Sequence, residues 1–539
     1  MAGKDYGKAD PTPLGVDLAG IRLIGQDENV EARAAPGITI GAVPNAPEAE
    51  LLAALKPFLS EPLSLALVTE IQAAVARTWS RTGYPFVSVT VPPQEITTGV
   101  LQLRVIEARL GDVRAEGSLV GTGDRLVGAV RSPRGGRIDA AGVDEDVRWM
   151  NRHGNRRVEA VFAAGDGDAE SDLVLKVTDE KPWSAFAGWS NTGSSATGVD
   201  RYFVGAVGWI PEWNDVTLSY QLTGSSSLWS HLDRIVPRTG DFPSYLGHAG
   251  RIVIPTGARQ SLEISPTFIA SRENIDPLLA QETEILELPV SYRMALSEIV
   301  PGLYMGDIHA GVEFKRLHRN SLFAGTVVAR GEADLFQITA GWSHVFFDRY
   351  GRTAIDLGVK INPGGVMAGN DAASWNAFTG GRISDMTYAY LTADMVRQTV
   401  LPGGLVLSHH LTGQLAGQPL PDPERFQLGG YQAARGYRID DGSVDSGLVL
   451  RNELRLPPVS LVGALGVEDT LSSYLFLDVA HGRDLSLRHS TTLASLGAGI
   501  DHDVGGHLSI GLAAGVALAD AALTRRGDVA VHARVVGAF

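Results

Sequence analysis

The side chains with the clearest chemistry lie on one predicted strand near the end of the chain. Alternate residues of a strand point to the same side, so Tyr474, Phe476 and Asp478 share one face. Leu475 and Leu477 alternate with them and make the other face apolar. This apolar face suits a nonpolar environment, which turns Asp478 to the opposite side. A carboxylate shielded there from bulk water favours a cationic partner, and arginine can bind it through bidentate hydrogen bonds.

Other polar clusters give no support for catalysis. In Asp501-His502-Asp503 neighbouring side chains face opposite sides of a strand, and the glycine pair 505–506 that follows is typical of a turn. The phosphate-binding pattern Gly-x-x-x-x-Gly-Lys-Ser/Thr does not occur in the sequence. We therefore predict no catalytic residues, no cofactor and no enzymatic activity.

An acidic stretch, Asp166, Asp168, Glu170 and Asp172, alternates like the start of a calcium loop. An EF-hand also requires a glycine at its sixth position, a final glutamate and flanking helices. Because the flanks here predict strands, we expect an exposed hairpin turn and no metal site. The absence of cysteine excludes thiolate zinc sites and agrees with a protein that crosses an oxidising compartment.

The composition indicates several folding units, since 539 residues exceed the size of one compact domain. No run of eighteen apolar residues occurs, which excludes transmembrane helices but leaves a membrane β-barrel or a large soluble β-protein open. The net charge of −15 argues against nucleic acid as a partner. Residues 1–6 contain no apolar core and so do not form a signal peptide, and for an outer-membrane protein we expect a mature or re-engineered start.

The first 180 residues predict small α+β units. From about residue 40 the pattern indicates strand, helix, helix, strand, strand, with Val68, Ile71 and Trp79 on one helix face and Gly83 after the helix. The same order returns from about residue 109, where a second helix ends near Gly154. The two glycines lie 71 positions apart (154 minus 83), which favours a tandem repeat.

From about residue 183 the chain consists of short alternating segments separated by turn residues. Segments 216–223, 336–343 and 355–361 each alternate apolar residues with polar or small ones. This alternation is typical of a membrane barrel, although a soluble β-sandwich alternates too. Aromatic residues beside turns, such as Trp213 and Tyr350, fit the interfacial girdle of a barrel.

The N-terminal segments resemble those of a known family. Residues 83–94 and 99–107 closely resemble the first POTRA domain of two-partner secretion transporters, which belong to the POTRA-containing outer-membrane translocases. Residues 149–152 and 171–175 are similar to the second POTRA domain, and residues 188–193 to the first barrel hairpin.

Two later segments carry the same resemblance. Residues 429–437 resemble the tip of the family's inward-folded loop, whose signature is Val-Arg-Gly followed by Tyr or Phe. Ala434 replaces the valine, and the arginine and glycine are unaffected. Residues 474–478 match the Phe-x-Asp motif on the family's inner wall. The final residue, Phe539, is similar to the signal by which outer-membrane barrels are recognised for insertion.

The resemblance implies a domain plan and a site. The fold class is α+β POTRA repeats followed by an all-β antiparallel barrel of about 16 strands. The implied segments are an N-terminal extension 1–17, POTRA 1 at 18–108, POTRA 2 at 109–180, and a barrel 181–539 with an inward loop 430–447. Arg435 is implied as the partner of Asp478, and the lock between loop and wall comprises Arg435, Gly436, Tyr437, Phe476 and Asp478.

The resemblance also implies the function. The chain is expected in the bacterial outer membrane, with its POTRA domains in the periplasm, and to secrete an unfolded exoprotein through its barrel pore. The expected partners are an exoprotein with an N-terminal two-partner secretion domain, outer-membrane lipid, and the barrel-assembly machinery during biogenesis.

Two alternatives stay open at this point. A barrel insertase of the same superfamily is disfavoured because two POTRA-like units are fewer than insertases typically carry. A porin or receptor without a protein client is disfavoured because simple porins have no periplasmic module.

Overall fold

The chain folds into two units, Met1–Glu180 and Lys181–Phe539. The structure, a computed structural model, describes residues 9–117, 122–152, 154–167 and 169–539. Each unit has its own sheets and its own hydrophobic cores. Within these residues no helix is long and apolar enough to cross a membrane.

The first sheet of the N-terminal unit packs against two helices. Its elements are β1 (Gly20–Ile24), β2 (Gly37–Ile40), α1 (Glu48–Leu55), α2 (Leu65–Arg81), β3 (Val87–Thr90) and β4 (Val100–Glu107). The strand order is β2-β1-β4-β3, and β1 runs parallel to both of its neighbours. Helix α2 begins after Ser64, whose Oγ accepts a hydrogen bond from the amide of Leu67 at 3.1 Å. Ile71 and Trp79 of the predicted apolar helix face are fully buried in one core with Leu101.

Residues 9–17 are hydrogen-bonded to the first unit. The amide of Leu14 donates to the carbonyl of Leu63 at 2.8 Å, and the amide of Leu63 donates to the carbonyl of Val16 at 2.9 Å. This part of the predicted extension therefore belongs to the N-terminal unit, and residues 1–8 lie outside the described residues.

A second sheet follows, with a separate core. Its elements are β5 (Arg109–Glu116), α3 (Thr122–Ala129), α4 (Ala140–Met150), β6 (Arg156–Ala164) and β7 (Glu170–Asp179). The strand order is β5-β7-β6. Asp139 caps α4 by accepting hydrogen bonds from the amides of Ala141 and Gly142, both at 3.1 Å. The acidic stretch lies at the β6–β7 hairpin as expected, with Asp168 outside the described residues.

The second unit is a closed antiparallel barrel. Its strands are β8 (Trp183–Ser190), β9 (Arg201–Ile210), β10 (Val216–Gly224), β11 (Tyr245–Gly257), β12 (Gln260–Ile264), β13 (Thr267–Asn274), β14 (Leu279–Ala295), β15 (Asp307–Phe323), β16 (Thr326–Asp348), β17 (Gly351–Asn362), β18 (Tyr388–Val400), β19 (Val406–Ala416), β22 (Ser446–Arg455), β23 (Asp469–Asp484), β24 (His489–Val504), β25 (Leu508–Ala517) and β26 (Val529–Ala538). The short strands β20 (Phe426–Gln427) and β21 (Ser443–Val444) pair with each other in a loop. Two short helices, α5 (Ser226–Trp229) and α6 (Ala372–Phe378), lie in other loops.

The barrel has sixteen strands. Segments β12 and β13 both pair with β11 on one side and β14 on the other, so they are two halves of one interrupted strand. The interruption lies at Pro266, which has no backbone amide to donate to the ladder. Strand β26 pairs with β8 and closes the barrel. The predicted fold class, an α+β region followed by an antiparallel barrel of sixteen strands, is confirmed.

Alternating burial marks the two faces of the barrel wall. On β23, Leu475 and Leu477 are 55% and 44% exposed, whereas Phe476 and Asp478 are 2% and 0% exposed. The leucines therefore cover the outside of the wall, and the ring and the carboxylate point inward, as the strand pattern predicts.

The loop between β19 and β22 is longer than the predicted inward segment 430–447. It comprises residues 417–445, because β22 already begins at Ser446. The additional residues at its start include the turn Asp422–Glu424. We call residues 417–445 the inward loop.

Candidate functional site

The inward loop approaches the barrel wall most closely at Gly436. A Cβ atom at this position would lie 2.5 Å from Cβ of Ser495 on β24, and 3.1 Å from the backbone amide nitrogen of Ala517. Any larger residue would collide with the wall, so glycine is required here for space. Gly430 is required for a different reason, since its φ of +100° lies in the left-handed region.

Next to this contact, Arg435 and Asp478 form a fully buried pair. Nη2 of Arg435 donates to Oδ1 of Asp478 at 2.8 Å, and Nε donates to Oδ2 at 2.8 Å. The backbone amide of Arg435 also donates to Oδ2 at 3.1 Å. Both residues are 0% exposed. Three donors from one loop residue thus converge on a single wall carboxylate, and the two side-chain donors form the planar fork that is specific to arginine.

The ring of Phe476 supports the guanidinium group from the wall. The Cζ atom of Arg435 lies 3.8 Å from the centroid of this ring. Because the ring face is electron-rich and water is excluded, the contact adds a cation–π attraction to the ion pair. The Phe-x-Asp motif therefore brings the ring of Phe476 and the carboxylate of Asp478 into contact with the same guanidinium group.

Further charges surround the pair. Glu453 on β22 accepts from Nη1 of Arg435 at 2.6 Å and from Nη2 of Arg455 at 2.7 Å. Arg455 also donates to Asp501 at 3.0 Å, and Arg451 lies 3.7 Å from Glu453. Together with the first pair, three guanidinium groups face three carboxylates. This balance reduces the desolvation cost of a buried charged site.

Tyr437 ties the loop to the ends of the barrel strands. Its hydroxyl group is hydrogen-bonded to the carbonyl of Ala494 at 2.8 Å, and it accepts from the amide of Ala519 at 3.1 Å. The side chain is fully buried. The aromatic residue of the loop signature thus connects the inward loop to β24 and to the loop that follows β25.

Three further contacts of the loop tip involve residues that sequence reasoning missed. Nε2 of His532 on β26 donates to the carbonyl of Arg435 at 2.8 Å. Asp441 accepts from the amide of Thr524 at 2.9 Å, and Asp440 accepts from the amide of Ser195 at 2.9 Å. No local pattern marks these residues, because each contact joins segments that are distant in the sequence.

Phe539, the predicted insertion signal, lies at the barrel seam. Its amide donates to the carbonyl of Ala185 on β8 at 2.8 Å, and the amide of Ala185 donates back at 3.2 Å. Its ring is 68% exposed. The residue therefore continues the pairing of the last strand with the first and leaves the ring accessible.

A cavity of about 1010 Å³ borders the loop tip. Wall residues Phe203, Gln221 and Thr223 line one side of it, and Tyr431 lies on the loop side. Among the described residues, no group of three or more His, Cys, Asp or Glu side chains is arranged to hold a metal ion. The chemistry available at the site is ion pairing and hydrogen bonding between a loop and a wall.

Two segments of the sequence match models of known protein families. Residues 305–502 match the family model described as haemolysin secretion/activation protein ShlB/FhaC/HecB, and residues 37–108 match the model of the POTRA domain, ShlB-type. The chain belongs to the two-partner secretion transporters. The resemblance inferred from the loop and wall motifs is therefore confirmed, and both motifs lie within the matched region.

Individual proteins that are similar to this chain are also described as transporters. The chain is 21% identical over 486 residues to the heme/hemopexin transporter protein HuxB of Haemophilus influenzae (strain 86-028NP). The aligned residues make up 86% of this chain and 79% of HuxB. It is 34% identical over 128 residues to the outer membrane transporter CdiB-2 of Burkholderia pseudomallei (strain 1026b), covering 24% and 20% of the two chains.

A solved structure shares the fold. CdiB from Escherichia coli superposes with a TM-score of 0.72 at 18% identity, covering 100% of this chain and 92% of the other. Membership of this family places the barrel in the bacterial outer membrane and the POTRA region in the periplasm, as predicted. The predicted function, two-partner secretion of an exoprotein, is confirmed for the family, and an exoprotein is the partner that the family implies.

Proposed function

We propose that the contact between Arg435 and Asp478 is a lock that holds the inward loop in a transport-competent position during secretion. The observation that carries this proposal is the convergence of three donors from Arg435 on one fully buried carboxylate. A buried ion pair is costly to break, because removing one partner leaves the other charge unpaired. The loop is thus held firmly in the position that the proposal assigns to transport.

The client of this proposal is an exoprotein that carries an N-terminal two-partner secretion domain and arrives unfolded in the periplasm. The N-terminal unit offers edge strands that support this role. Strands β2 and β3 are the edges of the first sheet, and β5 and β6 are those of the second. An extended client can add to such an edge as a further strand, with main-chain hydrogen bonds providing affinity.

We propose residues 109–180 as a second POTRA domain. The order β5, α3, α4, β6, β7 repeats the strand–helix–helix–strand–strand order of the first domain. Its core is built from buried residues different from those of the first core. Two domains in series present two edges along which an extended client can be handed to the barrel.

The energy for export comes, in this proposal, from the client. No nucleotide is available in the periplasm, and folding of the emerging exoprotein outside the cell makes its movement effectively irreversible. Phe539 acts before export, when the barrel is inserted into the lipid bilayer. In this proposal it is the part of the last strand that the barrel-assembly machinery recognises.

The test is a comparison of culture supernatants from a deletion strain and its complemented parent. Loss of one large secreted protein, with other outer-membrane barrels at normal levels, supports the exporter and identifies its client. Unchanged supernatants together with depleted outer-membrane barrels contradict it and indicate an insertase.

A further inference from the structure

A second cluster of buried charges lies at the start of the inward loop. Glu424 ends the turn Asp422–Glu424, and its side chain is 1% exposed. Its Oε1 lies 2.7 Å from Nζ of Lys315 on β15, and its Oε2 lies 3.7 Å from Nζ of Lys360 on β17. The hydroxyl group of Tyr390 on β18 donates to the same carboxylate. The loop therefore inserts a carboxylate among cationic and hydroxyl groups of the wall.

The wall groups of this cluster balance one another without Glu424. Lys315 lies 2.9 Å from Glu313 and 3.2 Å from Glu287, and Lys360 lies 2.7 Å from Glu313. Two ammonium groups thus face two carboxylates that belong to barrel strands. Because these four wall groups balance in charge by themselves, the third carboxylate contributes to the position of the loop and is not needed to hold the strands together.

This contact lies on a different arc of the wall from the Arg435 site. Glu424 reaches β15, β17 and β18, whereas Arg435 reaches β22 and β23. Backbone and neighbouring side chains reinforce the contact near Glu424, since Gln414 donates to its carbonyl at 2.7 Å and Arg425 donates to Asp484 at 2.6 Å. The loop is therefore fixed at two places, one near its start and one at its tip.

We infer that Glu424 is a second positioning residue, which keeps the start of the inward loop on the wall when the tip leaves Asp478. The inference rests on the proposed function of the loop. With Glu424 in place, movement is confined to the segment beyond the turn, and the loop stays within the barrel. Without it, the start of the loop loses its contacts with Lys315, Lys360 and Tyr390 and moves more readily once the tip is released.

The test is single-channel recording of the purified full-length transporter in planar lipid bilayers, which requires no client. We expect Glu424→Ala to raise the fraction of time spent in the open state on the order of tenfold, which corresponds to about 1.4 kcal/mol. Glu424→Gln keeps the size and an acceptor oxygen, so its effect is expected to be smaller. Combining Glu424→Ala with Arg435→Ala is expected to open the channel more than either change alone.

The matched control is Glu263→Ala. Glu263 pairs with Arg251 at 2.7 Å, and both residues lie on barrel strands, so this change removes an ion pair without touching the loop. Migration of unheated protein on a denaturing gel reports that each barrel is folded. Wild-type gating of folded Glu424→Ala protein, or an equal change in the control, overturns the inference. Failure of both Glu424 variants to fold also overturns it, because the wall is charge-balanced without Glu424.

The two proposals fail in different ways. If Arg435→Ala alters gating and Glu424→Ala does not, the inference about Glu424 is refuted and the proposed lock between Arg435 and Asp478 stands. If Arg435→Ala secretes normally, the lock is refuted by a measurement that does not involve Glu424.

Discussion

The carboxylate of Asp478 accepts hydrogen bonds from both the side chain and the backbone of Arg435. The two side-chain bonds are 2.8 Å long, and the bond from the backbone amide is 3.1 Å long. The backbone bond fixes the path of the loop itself, so the pair holds the main chain as well as the arginine tip. Neither group is exposed to solvent. Substitution of either residue therefore leaves an uncompensated charge in the barrel.

Arg435→Ala is expected to reduce secretion strongly while barrel insertion continues. Breaking a buried pair costs about 3–5 kcal/mol, enough to depopulate the held position of the loop. Arg435→Lys keeps the charge but loses the two-pronged geometry, so we expect an intermediate loss. The measurement is the amount of exoprotein in the supernatant, normalised to folded barrel in the membrane fraction. Arg352→Ala removes an exposed arginine bound to Gln398 and serves as the control.

Gly436→Ala tests the close approach of the loop to the wall. The added Cβ atom would lie 2.5 Å from Cβ of Ser495, so the loop must shift, at a cost of about 1–3 kcal/mol. Secretion is expected to fall, and Ser495→Gly in the same chain is expected to restore part of it. Gly417→Ala is the matched control, because a Cβ atom there meets nothing within 4 Å. Equal effects of the two alanine substitutions would rule out the steric explanation.

Tyr437→Phe is expected to loosen the loop that follows β25. The change leaves the amide of Ala519 without its partner and removes one of the two donors to the carbonyl of Ala494, at a cost of about 1–3 kcal/mol. Limited proteolysis of intact cells checks this, with faster cleavage within residues 518–528 as the expected result. Tyr350→Phe alters an exposed tyrosine and is the control. Cleavage at the wild-type rate would mean that the hydroxyl group does not hold this loop.

Much of the wall was predictable because strand alternation is a local signal. The faces of β23 follow directly from the order of leucines, rings and Asp478. The strand β1 was not predicted, since its apolar residues are buried by long-range pairing with β2 and β4. The interruption at Pro266 likewise does not appear in a pattern that counts strands by alternation alone.

The partners of the inward loop were less accessible to sequence reasoning. The motif around Arg435 resembles a known family, and that resemblance supplied its expected partner. Glu424, His532 and Thr524 carry no such motif. Their roles depend on barrel closure, which brings residues from distant strands to one height in the lumen. The stagger of the strands sets that height, and spacing along the sequence does not encode it.

Glu28 gives the N-terminal unit a predictable response to acid. Burial raises the pKa of this carboxyl group, but hydrogen bonds from the amides of Gly25 and Ala42 and from Arg22 outweigh it and hold the pKa below its ordinary value of 4.5. Such a group stabilises the fold above its unfolded-state pKa, and the stabilisation is lost as the pH falls through the lowered folded-state pKa. Glu28→Gln should therefore speed hydrogen exchange of the Ala42 amide at neutral pH, and the difference from the wild-type chain should shrink below pH 4.5. Mass spectrometry of exchanged peptides measures this, with the exposed Glu50→Gln as control. A difference that stays constant down to about pH 3 would show that the carboxylate charge is not the cause.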